Sequence, residues 1–533
     1  MVAATDTGTA PNDAGPHRRP LDPAYVARLT RRVVTGANPQ LVTTHAPFTG
    51  QPLADLPLST PADVAEAFAA ARAAQREWAR RSVRERARVL LRFHDLLLDR
   101  QPEGLDLIQW ESGKARKHAF EEIAHVALLT RYYSRTAEAL LAPSRRAGVY
   151  PLGLTRVVEL RHPKGVAGFI EPWNYPLSMG VGDAIPALLA GNGVVVKPDT
   201  QTALTALWAH ELLAAAGLPE ALWQIVLGDG PVIGPAVIDN ADYVCFTGST
   251  RTGRLVAERA AARLVGCSLE LGGKNPMLVL SDAPTDRAAE GATRACFSSA
   301  GQLCVAIERI YVDRQVHDRF VDRFVERTQA MQLRATVDFT ADMGSLASAA
   351  QLDKVTAHVE DARAKGATVL TGGRARPDVG PLFYDPTVLT GVTPEMVCYD
   401  EETFGPVVAI YPVDSEEEAL VRANASVFGL NASIWTRHPA RARRLAARLR
   451  AGTVNINEGY GAAFGSIDAP QGGMGDSGLG RRNGREGLLK FTESQTVATQ
   501  GRLGFEPPFN TPYAAWARGL TAYLAAAKRL GRK

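Results

Sequence analysis

The stretch Gly165-Val166-Ala167-Gly168-Phe169-Ile170 decides the fold. It is a short apolar run of the kind that forms a buried strand, and a polar segment, Glu171 to Pro176, follows it directly. A helical pattern near 178–189 leads to a second apolar run, Gly193–Lys197. Strands that alternate with helices predict βαβ units and a parallel sheet, whose ligands lie at the carboxyl ends of the strands.

The same alternation extends in both directions along the chain. Further strands are predicted at 222–227, 243–247, 264–270, 277–280, 309–312, 367–371, 407–411, 432–435 and 452–454. Helices between them are predicted near 203–216, 232–238, 252–262, 287–295 and 317–331. Upstream, 60–141 has helical periodicity throughout. The sequence therefore predicts an α/β protein in which a helical region precedes two α/β series.

Length and composition narrow the class of protein. The 533 residues can support two or three domains, and 46% hydrophobic with 22% charged residues is typical of a soluble globular chain. A net charge of +4, without a dense Lys/Arg block, gives no support for nucleic acid as a partner. Five cysteines without metal-like spacing argue against a disulfide framework or a metal site, so we expect a cytoplasmic protein.

The two ends of the chain differ from the middle. Residues 1–24 lack an apolar signal region and are predicted to be a disordered lead-in, and no apolar run is long enough to span a bilayer. Residues 506–533 form an amphipathic tail, with a helical pattern from 513 to 532 and a basic side. A helix packed on its own subunit or on a neighbour is the favoured interpretation, and weak membrane-surface contact is the alternative.

One cysteine and one carboxylate suggest chemistry. Cys304 ends the small, polar segment 297–304, and Glu270 lies thirty-four positions before it (304 minus 270). A thiolate nucleophile followed by a base that activates water is the pair that covalent attack on an aldehyde needs. A lone cysteine is more often buried and inert, so the neighbouring motifs must decide between these readings.

Four further segments join this pair. They are Glu171-Pro172-Trp173-Asn174-Tyr175-Pro176, Val195-Val196-Lys197-Pro198, Phe246-Thr247-Gly248-Ser249-Thr250-Arg251-Thr252-Gly253 and Glu401-Glu402-Thr403-Phe404-Gly405-Pro406. In this order and spacing, the chain resembles the aldehyde dehydrogenase superfamily from about residue 48 to residue 496. One segment alone could arise by chance, whereas six in register could not.

The resemblance implies roles for three catalytic residues. Cys304 matches the family's nucleophile, and Asn174, with the backbone N–H of the cysteine, matches the donors to the oxyanion. Glu270 matches the general base that hydrolyses the thioester, which implies a free carboxylic acid as the product. For Asn174, the alternative is a turn residue that caps the following helix.

The resemblance also implies a dinucleotide site. Gly248 and Gly253, five apart, do not form a GxGxxG motif, but a strand-to-helix turn places a helix N-terminus near a pyrophosphate. Ser249 matches a family contact there, and Glu402 matches the carboxylate that holds the nicotinamide ribose. The implied cofactor-binding set is Trp173, Lys197, Thr200, Gly248, Ser249, Gly253, Glu402 and Phe404. The alternatives are a solvated charge for Glu402 and core packing for Phe404.

Cofactor choice depends on the residues after Lys197. NAD-selective relatives often place a glutamate two positions beyond the proline, where this chain has Thr200. A carboxylate there would repel a 2′-phosphate, whereas a hydroxyl can donate to it and Lys197 supplies charge. NADP is therefore predicted, although Asp199 is an unfavourable neighbour and NAD remains open.

The substrate is harder to predict. Segments 163–166, 199–202 and 487–496 are most similar to a divergent branch of NADP-dependent succinate-semialdehyde dehydrogenases. Better-known members of that activity bind the substrate carboxylate with two arginines, at positions where this chain has Gly182 and Ser298. Ser178, Ser298 and Ser466 could bind a polar tail more weakly. A broad-range aliphatic or aromatic aldehyde dehydrogenase is the alternative.

The resemblance implies a three-part aldehyde dehydrogenase fold. Its parts are a Rossmann-like cofactor domain (25–143 and 161–272), an α/β catalytic domain (273–484) and a small β flap for oligomerisation (144–160 and 485–505). The flap implies a homodimer or homotetramer, and the family implies a small aldehyde as the substrate.

Overall fold

The computed structural model describes residues 21–148, 155–501, 506–507 and 509–531. Residues 1–20 of the predicted lead-in lie outside the described residues. So do 149–154 and 502–505 of the predicted flap, and 508, 532 and 533 of the tail. The first helix begins at Pro23, with the Asp22 side chain accepting from the Ala24 N–H, so ordered structure starts inside the segment expected to be disordered.

The N-terminal region is helical, as the periodicity predicts. Two of its helices begin with capping boxes, Thr60 with Asp63 and Ser82 with Glu85, which satisfy the first N–H groups and fix where each helix starts. The elements up to residue 163 are α1 (Pro23–Thr30), β1 (Leu41–His45), β2 (Pro52–Pro57), α2 (Pro61–Arg80), α3 (Val83–Asp99), α4 (Gln101–Ser112), α5 (Arg116–Leu141), β3 (Ser144–Arg146) and β4 (Thr155–Pro163).

The stretch at 165–170 forms the central strand of a six-stranded sheet. The parallel members are β5 (Val166–Ile170), β6 (Gly193–Lys197), β7 (Trp223–Ile225), β8 (Tyr243–Thr247) and β9 (Gly266–Glu270), in the order β9-β8-β5-β6-β7. The helices between them are α6 (Ala184–Ala190), α7 (Ala203–Ala215), α8 (Gly230–Asn240) and α9 (Thr250–Ala262). Every predicted strand of this sheet is confirmed; β5 and β6, at its centre, are buried over their whole length, whereas β9, nearer the edge, is only partly buried.

One helix prediction in this sheet needs correction. The segment 178–189 is a π-helical turn, Ser178–Gly182, followed by α6, and not one continuous helix. Pro186 lacks the N–H that would bond the carbonyl of Gly182, so regular α-helical hydrogen bonding cannot extend across this point.

A second, seven-stranded sheet follows. Its elements are β10 (Asn275–Val279), α10 (Thr285–Phe297), β11 (Ile307–Asp313), α11 (His317–Gln329), α12 (Ala349–Ala364), β12 (Thr368–Thr371), β13 (Thr387–Thr390), α13 (Val397–Asp400), β14 (Val407–Val413), α14 (Glu416–Asn424), β15 (Phe428–Gly429), β16 (Asn431–Trp435), α15 (Pro439–Ala446), β17 (Thr453–Ile456) and α16 (Gly461–Phe464). The order is β12-β13-β14-β11-β10-β16-β17, and β12 alone is antiparallel to its neighbour.

The last elements return to the first half of the chain. They are β18 (Met474–Gly475), β19 (Gly478–Leu479), α17 (Gly484–Leu489), β20 (Thr492–Gln500) and α18 (Tyr513–Arg529). β19 adds an antiparallel edge to β9, and β20 pairs with β4, which pairs with β3, to form a separate three-stranded sheet. α18 has no buried residue. In the part of the chain that the structure describes, no helix has the length and apolar character needed to cross a membrane.

Candidate active site

A cavity of about 250 Å³ lies where the carboxyl ends of β5, β8 and β9 meet the loop before β11. Eight of the predicted site residues line it: Trp173, Asn174, Gly248, Ser249, Glu270, Cys304, Glu402 and Phe404. Residues from both halves of the sequence therefore converge at one place, the topological position where α/β sheets bind ligands.

Cys304 is held by a tight loop. Ser299 and Ala300 have φ of 50° and 57°, and Gly301 has φ of 70°, so three successive residues adopt left-handed conformations. A Cβ on Gly301 would lie 2.0 Å from the Gly405 oxygen, which requires glycine there. Burial raises the pKa of the Cys304 thiol to about 12, and the charge of Glu270 acts in the same direction.

Asn174 faces this loop with one hydrogen bond already made. Its Nδ2 donates to the main-chain oxygen of Gln302 at 3.0 Å, and its own main-chain oxygen accepts from Lys114 Nζ at 2.5 Å. Because an amide nitrogen carries two protons, the second N–H of Asn174 is available to another acceptor in the cavity. Asn174 therefore also connects the segment after β5 to the loop that carries Cys304.

Glu270 ends β9 and is a carboxylate without a fixed partner at one oxygen. Its Oε1 is buried without a hydrogen-bond partner in the structure. Burial raises the pKa of Glu270 to about 7, and the charge of Arg482 opposes that rise. A carboxyl group that titrates near neutral pH beside a thiol can accept a proton from water at physiological pH.

Glu402 and two aromatic rings form the other side of the cavity. Glu402 Oε1 accepts from the Gly273 N–H at 2.7 Å, and a Cβ on Gly272 would lie 2.4 Å from Oε2, so glycine is needed for the carboxylate to fit. The Trp173 and Phe404 rings meet edge to face, with centroids 5.6 Å apart. Phe404 has φ of 55°, so its placement is also backbone-strained.

The strained backbone of Phe404 is held by a buried ion pair. Lys274 Nζ lies 2.5 Å from Glu308 Oε2, and both groups are almost fully buried. The N–H groups of Thr403 and Phe404 donate to the same carboxylate at 2.9 Å. Glu308, on β11, therefore connects Lys274, directly before β10, to the segment that carries Glu402.

Lys197 and Thr200 lie outside this cavity, at the end of β6. Lys197 is buried, and burial lowers its pKa while the charge of Asp199 opposes this. Asp199 Oδ1 accepts from the Gln201 N–H at 2.9 Å, so the carboxylate caps the short 3₁₀ turn Thr200–Thr202. The hydrogen bond orients the Asp199 carboxylate toward this turn.

In the glycine turn at 248–253, Gly248 and Ser249 line the cavity, whereas Gly253 has a packing role. Ser249 is exposed at the N-terminus of α9, where its side chain accepts from the Thr252 N–H. Gly248 donates its N–H to the Glu270 main-chain oxygen at 3.0 Å. A Cβ on Gly253 would lie 2.6 Å from Leu271, so this glycine allows α9 to pack closely and does not line the cavity.

Several buried groups at the site were not predicted from the sequence. Lys114 Nζ lies 2.7 Å from Glu122 Oε1, and Glu122 Oε2 accepts from the N–H groups of Leu177 and Ser178, at 2.9 Å and 3.1 Å. This pair fixes both Asn174 and the turn after it. No motif marks it, because Lys114 and Glu122 lie in the helical region, where charged residues are usually solvated.

The end of the cavity away from Glu402 has aromatic walls and a carboxylate behind them. Tyr175, Tyr460 and Phe464 line it, and His125 stacks on Phe464 with centroids 4.4 Å apart. Tyr460 Oη donates to Glu121, 3.2 Å away, and lies 2.9 Å from the Ser298 hydroxyl. Ser298 is therefore bound to protein groups. Ser178 and Ser466, also named as polar-tail candidates, do not line the cavity.

No group of three His, Cys, Asp or Glu residues placed to hold a metal ion occurs among the described residues. The cavity instead brings together a thiol, an amide donor, a carboxyl group of raised pKa and a second carboxylate beside two aromatic rings. These groups fit covalent chemistry at a carbonyl carbon with a dinucleotide alongside.

Comparison with known proteins identifies the family. The model described as "Aldehyde dehydrogenase family" matches residues 34–497. The chain belongs to the aldehyde dehydrogenase family. It is accordingly an enzyme that oxidises an aldehyde to its acid, and the resemblance inferred from the six segments is confirmed.

Three similar proteins illustrate the match. A putative succinate-semialdehyde dehydrogenase (NADP+) of Mycolicibacterium smegmatis is 55% identical over 483 residues, 91% of this chain and 93% of the relative. The putative succinate-semialdehyde dehydrogenase (NADP+) 2 of Mycobacterium tuberculosis is 53% identical over 487 residues, 91% of this chain and 94% of the relative. A crystal structure of aldehyde dehydrogenase from Brucella melitensis biovar abortus 2308 has a TM-score of 0.85 and 32% identity, covering 90% of this chain and 99% of that one.

Proposed function

We propose that the enzyme converts succinate semialdehyde to succinate with NADP, through a covalent adduct on Cys304. The observation that carries this proposal is the convergence of Cys304, Asn174 and Glu270 on one cavity, in a chain whose close relatives are named for that reaction.

Cys304 is the nucleophile. Its sulfur adds to the aldehyde carbon, and the carbonyl oxygen becomes an oxyanion that accepts from the second N–H of Asn174 and the main-chain N–H of Cys304. Since burial holds the thiol pKa near 12, attack requires an acceptor for the thiol proton. Glu270 is the carboxyl group in the cavity whose charge acts most strongly on that thiol.

Glu270 passes the thiol proton to solvent and then serves hydrolysis. A bound NADP would supply the hydride acceptor, and loss of the hydride would convert the thiohemiacetal to a thioester. Glu270 takes a proton from water while the water oxygen bonds to the acyl carbon and the carbon–sulfur bond breaks. Its pKa of about 7 suits this step, because the ionised form is well populated at neutral pH and remains basic enough to act.

The residues present fit a dinucleotide. Glu402 presents a carboxylate oxygen beside Gly272, suited to ribose hydroxyls, next to the Trp173 and Phe404 rings. Ser249 stands at the N-terminus of a helix of 13 residues, suited to a pyrophosphate. Lys197 and Thr200 supply an ammonium and a hydroxyl that suit a 2′-phosphate. Position 200 has no carboxylate to accept a hydrogen bond from the 2′-hydroxyl of NAD.

The substrate proposal has one rival. The aromatic walls at Tyr175, Tyr460 and Phe464, together with Gly182 and Ser298 in place of arginines, favour a broad range of aliphatic or aromatic aldehydes. Succinate semialdehyde and butanal have the same carbon chain and differ in the terminal carboxylate. Their kcat/KM values, each measured with NADP and with NAD, separate the two proposals.

A preference of at least about tenfold for succinate semialdehyde with NADP supports the proposed reaction. Equal kcat/KM for the two aldehydes would instead support the broad-range enzyme. Cys304→Ala serves as the matched control: it should lose oxidation of both aldehydes and retain NADP binding, because the thiol acts in chemistry and not in cofactor affinity. Retained turnover in Cys304→Ala would contradict covalent catalysis at this residue.

We also propose the three-part division stated above, with the β3-β4-β20 sheet as the oligomerisation flap of a homodimer or homotetramer. Its strand β20 is almost entirely exposed in the single chain, as expected of a surface that a neighbour covers. Light scattering of the enzyme tests this: a monomer at micromolar concentration would contradict the flap's role.

For the tail, we propose that α18 packs on a neighbouring subunit. It exposes Tyr513 and Leu524, with Leu530 exposed directly after it, and no residue of it is buried by its own chain. Weak contact with a membrane surface is the alternative, since Lys528 and Arg529 lie at its end. Co-sedimentation with anionic liposomes, with and without residues 507–533, distinguishes them: binding lost on truncation would support the membrane.

A further inference from the structure

Arg482 is a buried arginine inside the catalytic cavity. It follows β19, and its main chain is fixed by two hydrogen bonds with Gln471, each 2.8 Å long. The residue is 8% exposed and lines the cavity together with Cys304 and Glu270. A buried guanidinium so close to the reacting groups needs an explanation, because arginine is rarely buried without paired acceptors.

The partners of Arg482 leave part of its hydrogen-bonding capacity unused. One strong bond joins its Nη2 to Asp183 Oδ1, at 2.6 Å. Its Nη1 lies 2.9 Å from Met179 Sδ, which is a weak acceptor, and its buried Nε has no partner in the structure. With five N–H donors and one carboxylate partner, the guanidinium can still bind a second carboxylate.

Arg482 lies next to the position where an arginine is missing. Gly182 directly precedes Asp183, and Met179 lies in the same π-helical turn, so both partners of Arg482 flank Gly182. A Cβ on Gly182 would meet no atom closer than 3.8 Å. The guanidinium of Arg482 therefore contacts the turn that carries Gly182, although Arg482 comes from the distant segment after β19.

The other charged groups do not offer an anion site at this end. Among the described residues that line the cavity, the only lysine is Lys354 and the only arginine is Arg482. Lys354 lies near Glu402, on the dinucleotide side. Burial lowers the pKa of His125 to about 3, so this ring is neutral. Glu121, behind Tyr460, would repel an anionic tail placed there.

Resting on the proposed function, we propose that Arg482 binds the carboxylate of the substrate and so determines the preference for a semialdehyde with an anionic tail. Arg482 takes the place of the arginines absent at Gly182 and Ser298. Asp183 orients the guanidinium and balances its charge when no substrate is bound.

The test is the ratio of kcat/KM for succinate semialdehyde to kcat/KM for butanal. Arg482→Met in the full-length enzyme should lower this ratio roughly 10- to 100-fold, mostly through KM for succinate semialdehyde. Arg482 also influences Glu270, but a change in the base acts on both aldehydes and cancels in the ratio. Arg482→Lys, which keeps the charge, should restore part of the preference.

Two further variants keep the test decisive. Arg482→Met leaves Asp183 buried and unpaired, so this single variant could fail to fold. The double variant Asp183→Asn/Arg482→Met removes both charges, and it should show the same fall in the kcat/KM ratio. Arg294→Met is the matched control: Arg294 is half exposed, pairs with Glu458 and lines a separate cavity of about 440 Å³. It should leave the ratio unchanged.

The outcomes separate this inference from the proposed function. If the wild type prefers succinate semialdehyde and the ratio is unchanged in the Arg482 variants, Arg482 does not bind the carboxylate, although the proposed reaction stands. If the ratio falls in Arg294→Met and not in the Arg482 variants, the substrate carboxylate binds in the separate cavity that Arg294 lines, and the role of Arg482 is wrong. A wild type without preference would overturn both the proposed substrate and the role of Arg482.

Discussion

The Asn174 side-chain amide donates to the main-chain oxygen of Gln302 at 3.0 Å, and so ties the segment after β5 to the loop that carries Cys304. The two residues are 128 positions apart in the chain. One N–H of Asn174 is thereby used to fix its orientation, and the other remains for the oxyanion of the proposed mechanism. The amide is positioned before substrate binds, which is the requirement for electrostatic stabilisation of a transition state.

Asn174→Ala should reduce kcat roughly 100- to 1,000-fold with a small change in KM, since the donor acts on charge that develops only during reaction. Initial rates at saturating NADP measure this. Asn174→Asp is the matched variant: it keeps the size, replaces the donor with an acceptor and should be at least as impaired. A loss confined to KM would contradict the assignment.

The steady-state rate should depend on the ionisation of Glu270. The pKa of Glu270 is raised by burial to about 7, and the base acts when ionised, so kcat should fall as pH decreases through about 7. Arg482 lowers this pKa, so Arg482→Met should move the ascending limb to higher pH. A profile of kcat with butanal, saturating at every pH, reports both effects. A flat profile across neutral pH would contradict the role of Glu270 in turnover.

Thr200→Glu should shift preference from NADP towards NAD by roughly tenfold to a hundredfold in relative kcat/KM. The new carboxylate would accept from the 2′-hydroxyl of NAD and repel the 2′-phosphate of NADP, although solvent screens much of this repulsion. Thr200→Gln, similar in size but neutral, separates charge from bulk. An unchanged cofactor ratio in the glutamate variant would show that Thr200 does not face the 2′ position.

Lys114→Met should lower both stability and activity. It leaves Glu122 buried without its ion-pair partner, which costs about 3–5 kcal/mol, and it removes the donor to the Asn174 main-chain oxygen. Arg80→Met removes an exposed pair with Glu77 and should cost less than about 1 kcal/mol. Thermal unfolding of the two variants makes the comparison. Equal midpoints would show that the buried pair contributes no more than a surface pair.

The sequence predicted the strands of the six-stranded sheet and a catalytic set, Cys304, Asn174 and Glu270, that the structure brings to one cavity, because apolar runs and fixed motifs are local signals. β13 and α12 lie between predicted elements and were not identified. Arg482, Glu121 and the Lys114–Glu122 pair could not be predicted, since their importance depends on partners distant in the chain. In the sequence, Arg482 resembles an exposed charge beside Arg481, and only the fold pairs it with Asp183, next to Gly182.

In the proposed mechanism, Cys304 carries the acyl group and Glu270 releases it. Glu270→Gln, mixed with NADP and succinate semialdehyde, should give a burst of NADPH of one equivalent per active site, formed more slowly than in the wild type because the thiol proton has lost its acceptor, and then almost no turnover. Mass spectrometry of the quenched variant should find the acyl group on the peptide that contains Cys304. The absence of that adduct, or an adduct on another cysteine, would contradict the mechanism.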